Sequence, residues 1–209
     1  MEYVSIILTV AVIHLLAVIS PGPDFMMITR SSLVYSRKTG MYSAIGLGLG
    51  ILVHVAYSLI GIGLIISQSV VLFSIIKYLG AAYLIYIGYK SLTAKSKKEK
   101  DSEVVIQEDI SSLKAVRIGF LTNVLNPKAT LFFLSLFTLV IEPQTPLFVK
   151  LIMGAEMSIA TAIWFMFIAF IFSHHLFKSK IRKVQHVAER FIGVALILLG
   201  IKVAFSSSK

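Results

Sequence analysis

The chain has 209 residues, of which 57% are apolar and only 14% are charged, and its formal net charge is +10. A soluble domain of this size could not bury so much apolar surface, whereas six membrane spans of about 20 residues each would account for it. The absence of cysteine from the sequence excludes disulfides, thiolate metal sites and thiol redox chemistry.

The apolar runs predict six transmembrane helices, and therefore an all-α, polytopic membrane protein. In chain order the runs cover about residues 4–28, 42–66, 70–89, 115–141, 147–172 and 191–205. A charged, solvated stretch separates two groups of three runs. We therefore expect one integral membrane domain, with a first three-span repeat at 1–90, a linker at 91–114 and a second repeat at 115–209.

The lysines and arginines are concentrated in three of the five predicted loops. Loops 1, 3 and 5 hold 15 of the 20 basic residues, which lie between apolar runs rather than on a continuous surface. Such clusters mark the cytoplasmic side of a membrane protein. We therefore predict that loops 1, 3 and 5 are cytoplasmic, that both termini lie outside, and that nucleic acid is not a partner.

The first predicted span is interrupted by an unusual stretch, Ser20-Pro21-Gly22-Pro23-Asp24. The two prolines lack a backbone N–H and break the helical hydrogen-bond ladder. In the bilayer core each carbonyl that is freed in this way needs a protein partner or a water-lined cavity. We interpret the stretch as part of the working centre of a transporter.

A second break lies in the fourth span, at Asn126-Pro127-Lys128, and the stretch 18–25 matches 124–131 in pattern. The third span of each group is also similar, since 77–90 resembles 190–202 with a one-residue gap. Three spans per repeat is an odd number, so the second copy enters the membrane from the opposite side. The pattern predicts two inverted three-helix repeats with broken helices 1 and 4, and chance similarity among apolar segments is the alternative.

Among the titratable side chains of the predicted spans, four are candidates for a function: the charged residues Asp24, Lys128 and Glu156, and His54. An ionised group there costs at least ~2.5 kcal/mol on insertion scales, so each is a functional candidate. A rise of ~1.5 Å per residue puts Lys128 and His54 near the middle of the membrane, with Asp24 nearer the inner edge and Glu156 nearer the outer edge. Proton relays use such ladders, so Asp24, His54 and Glu156 are candidates for proton transfer.

Each of these groups also has a purely structural interpretation. Asp24 fits an interfacial acid beside the basic first loop, and Glu156 fits an outer-leaflet partner of Lys150. Lys128 fits a snorkelling side chain or an ion-pair partner of either acid. His54 fits a hydrogen-bonded packing residue. The matched pair of breaks, each next to an opposite charge, favours a site.

Other features of the sequence indicate neither a cofactor nor an enzyme. His174, His175 and His186 lack metal-ligand spacing with carboxylates, so we predict no metal site. No Ser–His–Asp or Cys–His arrangement stands out. Gly46 and Gly50 follow no strand, so they indicate a small-xxx-small packing face rather than a phosphate loop, and this face fits packing within one chain or across a homodimer equally well.

The motifs Ser20-Pro21-Gly22-Pro23-Asp24 and Leu125-Asn126-Pro127-Lys128-Ala129, with six spans and a charged linker, resemble the LysE/RhtB family of bacterial amino-acid exporters. The resemblance covers essentially the whole chain. It implies efflux of amino acids across the bacterial cytoplasmic (inner) membrane by exchange with protons. The family's substrates include basic amino acids, homoserine, threonine and leucine, and the Pro-Gly-Pro-Asp form is more similar to the homoserine/threonine branch than to the lysine branch.

The resulting hypothesis assigns a role to each candidate residue. Backbone amides after Pro23 and Pro127, together with Lys128, would hold the carboxylate of an amino acid at the broken helices. Asp24 would hold its ammonium group or carry the proton, and rocking of the repeats would alternate access. The alternative is a small membrane channel for polar solutes without proton coupling. A disulfide-reducing electron carrier would need cysteines, and none exist.

Overall fold

A computed structural model describes residues 2–68, 107–139, 141 and 144–173, together with scattered positions between 75 and 93 and between 190 and 205. This described part contains no strand. Its continuous helices are α1 (Glu2–Ile19), α2 (Pro23–Val34), α3 (Arg37–Gln68), α4 (Ser112–Val124), α5 (Pro127–Leu139) and α6 (Leu147–Phe172). The all-α prediction is therefore confirmed for the described residues.

Within the described residues, two helices are long and apolar enough to cross a membrane, at Arg37–Gly61 in α3 and at Leu147–Phe172. Helices α1 and α2 make a third span if they are taken together, bent by 57° at the break between them. Helix α5 contributes a shorter apolar segment, Pro127–Phe137. The predicted third and sixth spans fall largely outside the described residues, so six spans in two inverted repeats stays a prediction.

Both predicted breaks are present, and proline begins the helix that follows each one. Helix α1 ends at Ile19, Gly22 lies in extended backbone as the N-cap, and Pro23 opens α2. Helix α4 ends at Val124, and Pro127 opens α5. Proline suits the first helical position because its missing N–H would have no intrahelical partner there and its fixed φ matches the helix.

Glycines allow the helices to approach closely. A Cβ at Gly50 of α3 would lie 2.6 Å from Oδ1 of Asn123 in α4, and one at Gly46 would overlap the Val116 carbonyl oxygen. The small-xxx-small face therefore packs on α4 within one chain. A Cβ at Gly88 would likewise lie 2.6 Å from the carbonyl oxygen of Gly193, linking the predicted third and sixth spans.

Two apolar clusters form the core on either side of a cavity. One includes Val10 of α1, Phe133 of α5 and Met157 of α6, and the other includes Ile28 of α2 and Phe165 of α6. Members of both clusters line the cavity. A further stripe of α6 is exposed, at Ile159, Ile163, Phe167 and Phe170. Exposed apolar side chains at helical spacing suit a helix that faces lipid.

Candidate functional site

The cavity lies where the two helix breaks meet. Gly22 and Asp24 line it from the first break, Asn126 and Lys128 line it from the second, and α6 contributes Thr161. The space open to the centre of a water-sized sphere is about 40 Å³. Each water needs about 10–15 Å³ on this measure, so the cavity admits a few waters or a small polar group.

Lys128 reaches from the second break to the first. Its ammonium donates hydrogen bonds to the carbonyl oxygens of Ala17 at 3.1 Å and Ser20 at 2.6 Å. The Ala17 carbonyl is free because its helical donor would be the N–H of Pro21, which does not exist. A cation at the C-terminal end of α1 is also favoured by the helix dipole. Lys128 therefore caps the helix of the other half of the chain.

Gly22 makes room for this lysine. A Cβ at position 22 would lie 3.2 Å from Cδ of Lys128, which is tight for van der Waals contact. The extended backbone of Gly22 does not by itself require glycine. The close passage of the lysine stem explains why the smallest residue stands there.

The second break is capped in the reverse direction. The Asn123 carbonyl is freed because Pro127 lacks the N–H that would bond to it. It accepts from the backbone N–H of Asn126 at 2.9 Å and lies 2.9 Å from Nε2 of His54. An acceptor at this position requires a proton on Nε2. His54 of the first half therefore caps the helix of the second half.

His54 also contacts a phenol through its other ring nitrogen. Nδ1 lies 2.6 Å from the hydroxyl of Tyr57, and that hydroxyl lies 3.3 Å from the carbonyl oxygen of Thr130. The single phenol proton can donate either to Nδ1 or to Thr130. If the phenol donates to Nδ1, the imidazole is neutral and its proton lies on Nε2. If the phenol donates to Thr130, Nδ1 must itself donate to the phenol oxygen, so the imidazole carries protons on both nitrogens. The ring itself is fixed by stacking on Phe133, with 5.4 Å between centroids.

Asp24 joins this network through Asn123. Its Oδ2 accepts from Nδ2 of Asn123 at 2.9 Å, and the carbonyl of the same asparagine is the one bonded to His54. Oδ1 of Asp24 is buried and has no hydrogen-bond partner among the described residues. The acid lies in the first turn of α2, where the helix dipole favours a negative charge. Asp24 lines the cavity and thus has one carboxylate oxygen that no described residue uses as an acceptor.

The structure brings together three of the four titratable candidates: Asp24, Lys128 and, through Asn123, His54. Within the described residues, the hydrogen bonds of Lys128 lead to backbone carbonyls and not to a carboxylate. Glu156 lies on α6 away from the residues that line the cavity, and its Oε2 has no partner in the described part of the chain. Its role in proton transfer stays a prediction.

The sequence analysis missed several polar residues of this site. Asn123 and Tyr57 complete the network described above, and both are uncharged. His14 is 1% exposed, lines the cavity, and its Nε2 lies 3.3 Å from the hydroxyl of Thr161. His14 could have been identified by the same signal as His54, because both are histidines inside a predicted span.

A separate polar cluster joins Asp109, which lies outside the spans, to the start of α3. The Asp109 carboxylate accepts hydrogen bonds from the hydroxyls of Thr39 and Ser36, each at 2.7 Å. These bonds, first from Thr39 and then from Ser36, with a smaller contribution from Lys38, lower the pKa of Asp109 below its ordinary 3.8. A hydrogen bond from the N–H of Gln107 to the Val34 carbonyl, at 2.8 Å, also holds residues 107–109 against the end of α2.

Metal ligands do not gather in the described residues, where no group of three His, Asp or Glu side chains is placed to hold an ion. The histidines for which the sequence predicted no metal role, His174, His175 and His186, lie outside the described residues.

Residues 15–207 match the model of a protein family described as LysE type translocator. A membrane protein of Bacillus subtilis, YrhP, is 33% identical over 90% of this chain and 93% of its own length. The threonine efflux protein of Escherichia coli K12 is 30% identical over 95% of this chain and 97% of its own length. The threonine efflux protein of Salmonella typhi is 29% identical over 95% and 97%. No solved structure matches the chain.

Proposed function

We propose that this chain, which belongs to the LysE type translocator family, exports small neutral amino acids of the threonine and homoserine type in exchange for protons. Membership of the family makes the chain a membrane transporter rather than an enzyme. The choice of a neutral hydroxylated amino acid follows the relatives that are called threonine efflux proteins. Basic amino acids remain the second choice within the same function.

The observation that carries the proposal is the pairing of opposite groups in one cavity. Oδ1 of Asp24 accepts no hydrogen bond from the described residues, which suits the ammonium group of a zwitterion. Lys128 has three protons and uses two of them on α1, so the third suits the carboxylate. The first-turn amides of α2 and α5 add helix N-termini, which favour anions.

Exchange with protons follows if Asp24 holds one cation at a time. A proton and the ammonium group of the amino acid would compete for the same carboxylate, so each cycle would move one amino acid outward and one proton inward. Asn123 links Asp24 to His54, and Tyr57 extends the chain of hydrogen bonds. The network holds Asp24 near His54, whose protonation would influence that of the acid. The proton itself would reach or leave Asp24 through water in the cavity, because an amide does not relay protons between its side chain and its backbone carbonyl.

We further propose six spans in two inverted repeats, in the bacterial inner membrane, with loops 1, 3 and 5 cytoplasmic and both termini outside. The sequence match pairs position 88 with 200 and position 80 with 193. Gly88 approaches Gly193, and Gly200 approaches the carbonyl of Ala81, next to position 80. A two-fold axis would exchange these two contacts. The boundaries 1–90, 91–114 and 115–209 belong to the same proposal.

Proteoliposomes loaded with a panel of amino acids, with and without an imposed pH gradient, test the function. We expect gradient-driven, saturable efflux of threonine, lost in Lys128→Ala and kept in Lys114→Ala, a matched lysine on the exposed start of α4. Flux that rises linearly with concentration would indicate a channel instead. Efflux of lysine alone would move the protein to the basic branch.

Asp24→Asn tests the proton role separately. The amide can still bond to Asn123 but cannot take up a proton or neutralise an ammonium, so we expect gradient-driven efflux to fall about a hundredfold, as is typical when an acid–base group is removed. Efflux that keeps both its rate and its pH dependence in this variant would show that Asp24 carries no proton.

A further inference from the structure

We infer that His14 and Thr161 form a subsite that recognises the side-chain hydroxyl group of the exported amino acid. The inference rests on the proposed function and adds to it the residues that would select the substrate. Neither residue takes part in the Asp24–Asn123–His54 network, and both line the same cavity.

The pair is buried and incompletely bonded. His14 and Thr161 are each 1% exposed, and the Thr161 hydroxyl lies 3.3 Å from Nε2 of His14. The other ring nitrogen of His14, Nδ1, has no hydrogen-bond partner among the described residues. A buried polar atom without a partner costs about 1–3 kcal/mol, so a ligand that supplies one is favoured there.

A hydroxyl group is the ligand that suits this nitrogen in both of its states. If Thr161 donates to Nε2, the proton of the neutral ring lies on Nδ1, which then needs an acceptor. If Nε2 carries the proton and donates to Thr161, Nδ1 needs a donor. A hydroxyl can be either, whereas a methyl group can be neither. The subsite therefore distinguishes an alcohol from a hydrocarbon side chain.

The position of the pair matches the length of a small amino acid. Lys128 bonds to the carbonyl of Ala17, and His14 lies three residues earlier on α1, about 4.5 Å along the helix axis. A zwitterion held at the break would thus extend its side chain over roughly one helical turn to reach His14. Phe132 and Phe133 flank the imidazole, with ring centroids 6.1 and 6.0 Å away, and close the space around it.

The test compares threonine with valine, in which a methyl group replaces the hydroxyl. Efflux of the two amino acids is measured in the same proteoliposome preparation, so that their ratio does not depend on how much protein has folded. The variants are His14→Leu, Thr161→Val and His14→Asn, which keeps hydrogen-bonding groups. Ser135→Ala is the control, because Ser135 is equally buried on α5 but does not line the cavity.

We expect the wild type to prefer threonine, and His14→Leu to lower the threonine-to-valine ratio about tenfold, the value of one hydrogen bond of ~1.4 kcal/mol. Thr161→Val should lower it less, His14→Asn should restore part of it, and Ser135→Ala should leave it unchanged. Equal efflux of both amino acids by the wild type would overturn the inference. So would a loss of both in equal proportion in His14→Leu and Thr161→Val.

The result also separates this inference from the proposed function. A wild type that exports threonine and valine with a ratio insensitive to position 14 remains an exporter of neutral amino acids, and only the subsite is wrong. A wild type that exports no amino acid at all contradicts the proposed function, and the subsite with it.

Discussion

At the first helix break the freed carbonyl of Ala17 is bound by Lys128, whereas at the second the freed carbonyl of Asn123 is bound by His54. Ala17 and Asn123 each lie four residues before one of the matched prolines, Pro21 and Pro127, so the same backbone problem is solved twice with different side chains. A lysine ammonium only donates, but an imidazole exchanges donor and acceptor roles. The first cap is therefore fixed, while the second is connected to Tyr57 and through Asn123 to Asp24.

The difference also explains the shapes of the two breaks. The first has two prolines around Gly22 and a bend of 57°, and the missing side chain of Gly22 leaves space for the stem of Lys128. The second has only Pro127, and Asn123 itself provides both a carbonyl for His54 and an amide for Asp24. One break receives a long side chain, and the other holds the acid in place.

Removing the fixed cap should have the largest effect on stability. Lys128→Met leaves the Ala17 carbonyl without this donor, which costs about 1–3 kcal/mol, and removes the hydrogen bond to Ser20, which costs about 1 kcal/mol, so the free energy of unfolding should fall by roughly 2–4 kcal/mol. Thermal unfolding in detergent measures it, with Lys114→Met as the control. A melting temperature equal to that of the wild type would mean that water or another group caps α1.

Replacing the titratable cap should affect pH dependence more than stability. In His54→Gln the amide can still donate to the Asn123 carbonyl, so we expect a loss of only about 1 kcal/mol. The variant cannot take up a proton, so the pH profile of transport should flatten. Tyr57→Phe removes the phenol but keeps the imidazole, and should retain a profile that is shifted along the pH axis. If His54→Gln keeps the wild-type pH profile of transport, His54 takes up no proton during transport and acts only as a cap for the Asn123 carbonyl.

The smallest effect is expected at Asp109, an acid at a helix start in water rather than in the membrane. Its hydrogen bonds from Thr39 and Ser36 lower its pKa, so they stabilise the folded state above the ordinary value of 3.8 and are lost as the pH falls through the lowered value. Hydrogen exchange at residues 107–111, expressed as protection factors, should be constant above the ordinary pKa of 3.8, fall as the pH drops from there to the lowered pKa, and level off below it. In Asp109→Asn we expect the lower protection at every pH.

Much of this arrangement could be predicted because proline lacks a backbone N–H, so each proline identifies the carbonyl four residues earlier as one without its helical donor. The sequence located both breaks and the bounds of α6, and it identified Asp24, Lys128 and His54 by the cost of burying them. It could not assign donors to the freed carbonyls, since every donor of suitable reach fits equally well before the helices are packed. The contact between His54 and the Asn123 carbonyl spans 69 residues and has no local signal.

Glu156 shows the limit of ranking residues by charge. It precedes Thr161 by five positions, which is about 140° around a helix with 3.6 residues per turn. Thr161 and Phe165, one turn apart, line the cavity, so Glu156 points to another side of α6. Depth along a span can be counted from the sequence, but the angular position that faces a cavity is fixed only by packing.

Each helix break is capped by a side chain from the other half of the chain, and this constrains the order of events during biosynthesis. Lys128 follows Ala17 by 111 residues, so at 5–20 residues per second the ribosome needs roughly 5–20 s to add it after the first break has been made. During that time the nascent α1 has no ammonium to bind its last carbonyls. The first break must stay hydrated, or be held by the insertion machinery, until α5 arrives, and neither half can complete its dry interior when it is synthesised alone.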